Sequence, residues 1–287
     1  MENLGLKAFV GVTLASLIAA WAVRRKSLSL SGGFAGFIVM AATLMASYRF
    51  GALLLVFFFT SSKLTKLGAE KKRERDVDFK EGGQRDWLQV LMNSSIATAL
   101  ALGVAYLTGW NDRCLDAEKA SLVTGLIGGI LGHYACCNGD TWSSEVGILS
   151  SSQPRLITTL KHVPPGTNGA VTIAGLLAAA AGGAMVGLTF VLTGLLTTRC
   201  EGRLALKQLL AFPIATFAGL FGSVVDSVLG ATVQYSGYCA VRKKVVGRPG
   251  PTVKRISGQN ILSNNGVNFV AILLTTLATS AACLYVF

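Results

Sequence analysis

Residues 170–196 read AVTIAGLLAAAAGGAMVGLTFVLTGLL, 27 residues without a charge. About 20 mainly apolar residues are enough to cross a bilayer as a helix. In lipid the backbone has no water to bond, so such a run closes its hydrogen bonds within the helix. Working outward, seven more apolar runs lie at roughly 5–23, 31–47, 50–62, 88–109, 121–139, 209–233 and 266–286. The pattern predicts an all-α polytopic transmembrane bundle of about eight spans, one integral membrane domain over 1–287. Within it, 63–87 and 234–265 are predicted as polar cytosolic loops.

Composition agrees with that reading. Of the 287 residues, 52% are hydrophobic and only 14% charged, and the mean hydropathy is +0.55. A soluble globule carries about 25% charge. A soluble enzyme, a disordered chain and a collagen-like fibre are therefore excluded. The net charge of +12 would suggest nucleic acid in a soluble protein. Here it is explained by basic cytosolic loops, and no helix-turn-helix, zinc-finger or RNA-binding signature accompanies it.

The basic residues also orient the spans. With the N-terminus outside, the loops 24–30, 63–87, 140–169 and 234–265 fall inside and hold 19 of the 26 Lys and Arg. The expected topology is N-out and C-out. Arg24, Arg25 and Lys26 follow the first span, the reverse of a cleavable signal peptide, and no transit peptide is visible. An endomembrane or the plasma membrane is expected. Trp21, Trp87, Trp110 and Trp142 fall at predicted helix ends, where indole prefers the interface. Glycine pairs such as Gly125/Gly129, Gly128/Gly132 and Gly183/Gly187 have the small-xxx-small spacing of close helix packing. Cys114 and Cys200 lie in loops placed outside and are candidates for a bridge, although spacing alone does not set connectivity. His133 lies mid-span without the spacing of a metal site and reads as a hydrogen-bonded core residue.

Acidic residues are few, so their places carry information. Asp140 and Glu145 lie at the cytosolic end of the fifth span, in NGDTWSSE at 138–145, and Asp226 lies inside the seventh. An ionised carboxylate in the bilayer costs about 2.5–3.5 kcal/mol on insertion scales, so it faces a cavity, pairs or holds a metal. For Asp226 the competing reading is a helix–helix hydrogen bond with Ser223 or a neighbouring Asn. For Asp140 it is an interfacial cap.

The loop KHVPPGTNG at 161–169 ends where the sixth span begins. Gly166 and Gly169 permit close backbone approach, Thr167 or Asn168 can cap the helix, and helix N-termini favour anions. A phosphate cradle with Lys161 nearby and an ordinary turn-and-cap are both open readings. The segment 234–265 has six bases and no acid. It suits either anionic headgroups or substrate phosphates. The run Glu70–Asp78 reads as a solvated charge face.

Lys63, Lys66, Asp140, Glu145, Thr167 and Asp226 all approach one face on this topology. Hard oxygen ligands, lysines and helix N-termini suit a magnesium–nucleotide site, which needs one or two carboxylates plus substrate phosphates. The common soluble phosphoryl-transfer motifs are absent.

Six blocks carry a family likeness: SSKLTKLGAEKK at 61–72, FKEGGQRDWLQV at 79–90, NGDTWSSEVGILS at 138–150, PRLITTLKHVPPGTNGAVT at 154–172, GSVVDSVLGATVQYSG at 222–237 and ILSNNGVNF at 261–269. In order over roughly residues 20–270, they resemble the transmembrane protein 19 family, which includes the plant phytyl-phosphate kinase branch. That family is remotely similar to membrane-embedded, CTP-using phosphotransferases such as phytol and dolichol kinases. Asn138 stands where the family commonly has alanine, and Ala170 where it often has glycine. Both departures leave the carboxylates in place.

The resemblance implies transfer of phosphate from CTP or another nucleotide to an isoprenoid alcohol or monophosphate at the membrane surface. Asp140, Glu145 and Asp226 are the expected catalytic residues, with Asp140 and Asp226 holding Mg2+. Lys63, Lys66, Lys161, Gly166, Thr167, Asn168 and Gly169 are the expected phosphate and nucleotide ligands. The rival expectations are a non-catalytic membrane protein with a regulatory or trafficking role, and a cation-coupled transporter.

Overall fold

The computed structural model describes residues 4–68 and 83–287. The run Glu70–Asp78 lies outside the described residues. The chain forms ten α-helices among those residues: α1 Leu4–Arg24, α2 Leu30–Ala46, α3 Tyr48–Lys66, α4 Trp87–Met92, α5 Ser95–Thr108, α6 Ala117–Leu149, α7 Ile173–Thr197, α8 Gly202–Lys207, α9 Ala211–Thr232 and α10 Asn264–Val286. Five helical stretches are long and apolar enough to cross a membrane: α1, α6, α7, Gly202–Thr232 and α10.

The other three expected spans differ from the prediction. α2 has 17 residues, about 26 Å at the helical rise, short of a bilayer core of about 30 Å. α3 has 19 residues but carries Arg49, Lys63 and Lys66. The run 88–109 divides at Asn93–Ser94 into α4 and α5. The Asn93 carbonyl turns out of the ladder there and meets His133 Nε2 at 2.9 Å. His133 is thus a hydrogen-bonded core residue.

The fold is also not purely helical. Two short strands, β1 Arg155–Leu156 and β2 Ala170–Val171, pair antiparallel across the proline loop. The predicted polar loop 234–265 holds a three-stranded antiparallel sheet of β3 Ser236–Cys239, β4 Lys244–Val246 and β5 Val253–Ser257, with β3 central. Alternation over so few residues is a weak signal beside six bases.

α6 is the central helix. From Ile127 to Gly139 every residue is buried, as expected of a helix apolar on all sides. It packs against α7, α9 and α10. Glycine makes the closest of these crossings. A Cβ on Gly139 would stand 2.7 Å from the Gly219 carbonyl and 2.8 Å from that of Ala179, so no larger residue fits without spreading α6, α7 and α9. Where lipid offers no hydrophobic drive, such close backbones and interhelical bonds hold the bundle. Asn138 supplies three: Nδ2 donates to Gly182 O at 2.9 Å, and Oδ1 accepts from Thr60 and Ser61 hydroxyls at 3.0 Å each.

α6 runs ten residues beyond its predicted end at 139 because no proline interrupts it before Pro154. Trp142 therefore sits within the helix, its Nε1 donating to Thr60 Oγ1 at 3.3 Å, rather than at a helix end. The bundle has two polar ends. At one, Leu28 pairs with Arg85, Lys66 Nζ donates to Arg25 O, and Asn168 bonds to Tyr235 and Ser236. At the other, Ser47 donates to Asp112, Lys7 donates to the Trp110 carbonyl, and Cys114 is bonded to Cys200. The bridge joins the segment before α6 to the segment after α7, as the loop placement allowed.

Candidate functional site

Three helices bring polar faces to one cavity of about 310 Å³. α6 contributes Asp140, Ser143, Ser144 and Gly147, spaced i, i+3, i+4, i+7 and so on one face. α9 contributes Ser223, Asp226 and Ser227 by the same rule, and α10 contributes Asn264 and Asn268 one turn apart. The proline loop closes the cavity with Pro165, Gly166, Thr167, Asn168 and Gly169. Asp140 and Asp226 are both half-buried and are close enough to act on each other electrostatically. Ser223 lines the cavity beside Asp140. With its amide oriented to satisfy its neighbours, Asn268 donates to Asp226 Oδ2 at 3.0 Å and to the Asn264 carbonyl at 3.1 Å. The expected hydrogen bond from a neighbouring Asn is therefore present, but it leaves Asp226 in the cavity wall.

The proline loop is shaped from within. Gly166 and Gly169 have φ of 86° and 74°, a region glycine enters without strain. At Gly169 a Cβ would stand 2.5 Å from the Ala231 amide nitrogen, so only glycine lets the loop lie on α9. Thr167 Oγ1 donates to Pro164 O at 2.7 Å. The N-cap of α7 is Thr172, which accepts from Gly175 N at 3.0 Å, so neither Thr167 nor Asn168 caps the helix. The Asn168 amide donates to Ser236 Oγ at 2.9 Å and that of Ala170 to Thr167 O at 3.1 Å. These amides are bound within the protein rather than turned as a cradle.

The expected site thus assembles in part. Asp140, Asp226, Gly166, Thr167, Asn168 and Gly169 share the cavity. Glu145 does not line it. Five residues beyond Asp140 on one helix it is rotated by about 140°. It faces Arg85, whose charge it supports against the burial of that guanidinium. Lys63, Lys66 and Lys161 are exposed and do not line the cavity either. Lys66 is turned to the Arg25 carbonyl at 2.9 Å, and Lys161 sits in the turn before the Arg155–His162 bridge. Among the described residues no Lys, Arg or His lines the cavity. The residues missed by the sequence reading are Ser143, Ser144, Ser227, Gln234, Asn264 and Asn268. For the three serines the signal was the i, i+3, i+4 spacing of small polar residues beside each aspartate.

The set fits a hard cation. Magnesium takes one or two carboxylates and completes its shell with waters and substrate phosphates. Hydroxyl and amide oxygens surround the pair, and among the described residues no cation lines the cavity with it. No group of three His, Cys, Asp or Glu that could hold a metal occurs among the described residues.

Residues 13–276 match the family described as Integral membrane protein DUF92. The chain belongs to the DUF92 family. Protein PGR of Arabidopsis thaliana is 64% identical over 276 residues, covering 96% of each chain. An uncharacterized membrane protein of Methanocaldococcus jannaschii is 30% identical over 239 residues, 83% of this chain and 87% of its own. Another, of Synechocystis sp., is 30% identical over 220 residues, 76% of this chain and 77% of its own. No solved structure matches. Family and apolar helices together make this DUF92 member a multi-pass integral membrane protein.

Proposed function

We propose that this DUF92 protein is a membrane phosphotransferase that uses a metal-bound nucleotide to phosphorylate an isoprenoid alcohol or monophosphate, as its resemblance to the transmembrane protein 19 family implies. The observation that carries the reading is the half-buried Asp140–Asp226 pair in a polar cavity that no base lines among the described residues. Polyphosphate enters such a cavity only with a cation. Asp140 and Asp226 would hold Mg2+, with Ser223 and Asn268 fixing their orientation. The ion supplies charge neutralisation to the transferring phosphate. The chain's own part is positioning and the exclusion of water, which is most of phosphoryl-transfer catalysis.

The substrate class needs a place for a lipid chain near the pair. A cleft lined by Asn93, Cys136, Cys137, Asp140 and Asp226 lies behind the pair. Asn93 also lines an apolar slot between Val39, Leu54, Phe57 and Phe58. The membrane arrangement that fits is eight passes, N-out and C-out, with the cavity cytosolic and the disulfide in the oxidising compartment, where such bonds persist. An endomembrane or the plasma membrane meets that condition. The same cleft beside an intramembrane acidic pair would also suit a cation-coupled transporter.

The deciding experiment is nucleotide-dependent phosphate transfer by the purified protein in nanodiscs, onto a panel of isoprenols and isoprenyl monophosphates, with Mg2+ or with EDTA. Metal-dependent transfer from CTP or another nucleotide is expected. No transfer, together with cation uptake into proteoliposomes, would replace the kinase with the transporter.

A further inference from the structure

A second cavity, about 390 Å³, lies at the disulfide end between the last turns of α7 and α8. Cys200 lines it, so the bond to Cys114 secures one wall. Leu195 and Leu209 line it too and are 70% and 49% exposed, which suits contact with lipid. Arg49 in the same lining is only 2% exposed. Its guanidinium lies 4.5 Å from the Phe190 ring centroid, and Nη2 donates to the Arg113 carbonyl at 2.6 Å.

A purely structural role for Arg49, holding the segment before α6, accounts for the Nη2 bond. Three features remain. The Nε is buried without a hydrogen-bond partner, which is costly for a charged group. Gly194 keeps space open beside the guanidinium, since a Cβ there would stand 3.4 Å from Nη1. The lining carries a second cation, Arg199, against one carboxylate, Glu201. Asp112 supports the Arg49 charge electrostatically but is itself engaged by Ser47 Oγ at 2.6 Å.

We propose that this cavity binds a membrane lipid with an anionic head group, its phosphate-like oxygens on Arg49 and Arg199 and its chain along Leu195 and Leu209. A guanidinium fork matches such oxygens in geometry and in charge. The site is separate from the carboxylate cavity, at the opposite end of α7, and does not depend on the phosphotransferase reading.

The test uses the whole chain in nonionic detergent with EDTA, so that the carboxylate cavity stays without metal. Thermal unfolding is followed against dioctanoyl phosphatidate, dioctanoyl phosphatidylcholine and inorganic phosphate. Phosphatidate should raise the midpoint saturably, as a ligand of the native state does, and the other two should not. Gly194→Leu, filling the space beside Nη1, should raise the apparent Kd at least about tenfold, and Arg199→Gln several-fold. Arg199 is exposed, so its variant keeps the fold if Gly194→Leu does not. A phosphatidate response unchanged in both variants would overturn the proposal. So would equal stabilisation by phosphatidylcholine, which marks a plain slot for lipid tails, or a full response to inorganic phosphate, which marks a site for free anions.

Discussion

Asp140 and Asp226, both half-buried, line one cavity, with Ser223 beside the first and Asn268 bonded to the second. Two like charges at that range repel, and removing one relieves the folded state while removing a ligand. Asp140→Asn and Asp226→Asn should each abolish Mg–nucleotide binding in calorimetry. Without metal they should unfold at the wild-type temperature or above. Glu145→Gln is the control. It lies on another face of α6, toward Arg85, so nucleotide affinity should stay near wild type while stability falls. Wild-type affinity in both aspartate variants would return the pair to a structural role. Sequence position alone brought these aspartates forward, because charge is expensive in an apolar run. It did not separate Glu145 from them, because the apolar signal stops at Gly139 and the helix continues through polar residues to Leu149.

At the scale of elements, the proline loop is the piece that brings α7 and α9 to the cavity. It is fastened by the β1–β2 pairing, by Asn168 on Tyr235 and Ser236, and by Gly169 lying on Ala231. Gly169→Val forces a branched side chain into a left-handed conformation against backbone, at a cost of about 1–3 kcal/mol. Its thermal midpoint should fall, and any nucleotide affinity should fall with it. Lys161→Ala, at an exposed turn, should stay within about 0.5 kcal/mol of wild type and bind as wild type does. An affinity lost in Lys161→Ala but kept in Gly169→Val would show that the loop serves through its cation and not its backbone. The glycines and prolines of this loop marked it from the sequence. Its two-residue strands did not, since β pairing is decided by a partner distant in the chain, Val171 opposite Arg155.

For the whole molecule, the contacts sort the loops into two ends. Lys7, Trp110, Asp112 and the Cys114–Cys200 bond gather at one. Arg25, Lys66, Arg85 and the proline loop gather at the other. The expected arrangement has both termini with the disulfide on the non-cytosolic side. In sealed microsomes, tags on either terminus should be protected from external protease, and a tag near Lys243 should be cleaved. An impermeant maleimide should reach Cys114 and Cys200 only after reduction and opening of the vesicles. Termini on opposite sides would remove the eight-pass arrangement and the shared face that depends on it.

By itself the sequence determined the membrane bundle, the glycine crossings, the loops that carry the disulfide, and the two aspartates at one end. These follow from local quantities: apolar length, spacing along one helix, and the cost of charge in lipid. Only the tertiary structure decided which side chains meet. The rotation of α6 and α9 about their axes is set where Gly139 and Gly219 touch, and that of α10 where Cys283 and Thr279 pack on Gly128 and Gly132. That rotation admits Asn264 and Asn268 to the cavity and leaves Lys63, Lys66 and Lys161 outside it. The break at Asn93, and the sheet that occupies a basic loop, depend likewise on partners distant in the chain. Periodicity states which residues share a face of one helix, and packing between helices states what that face sees.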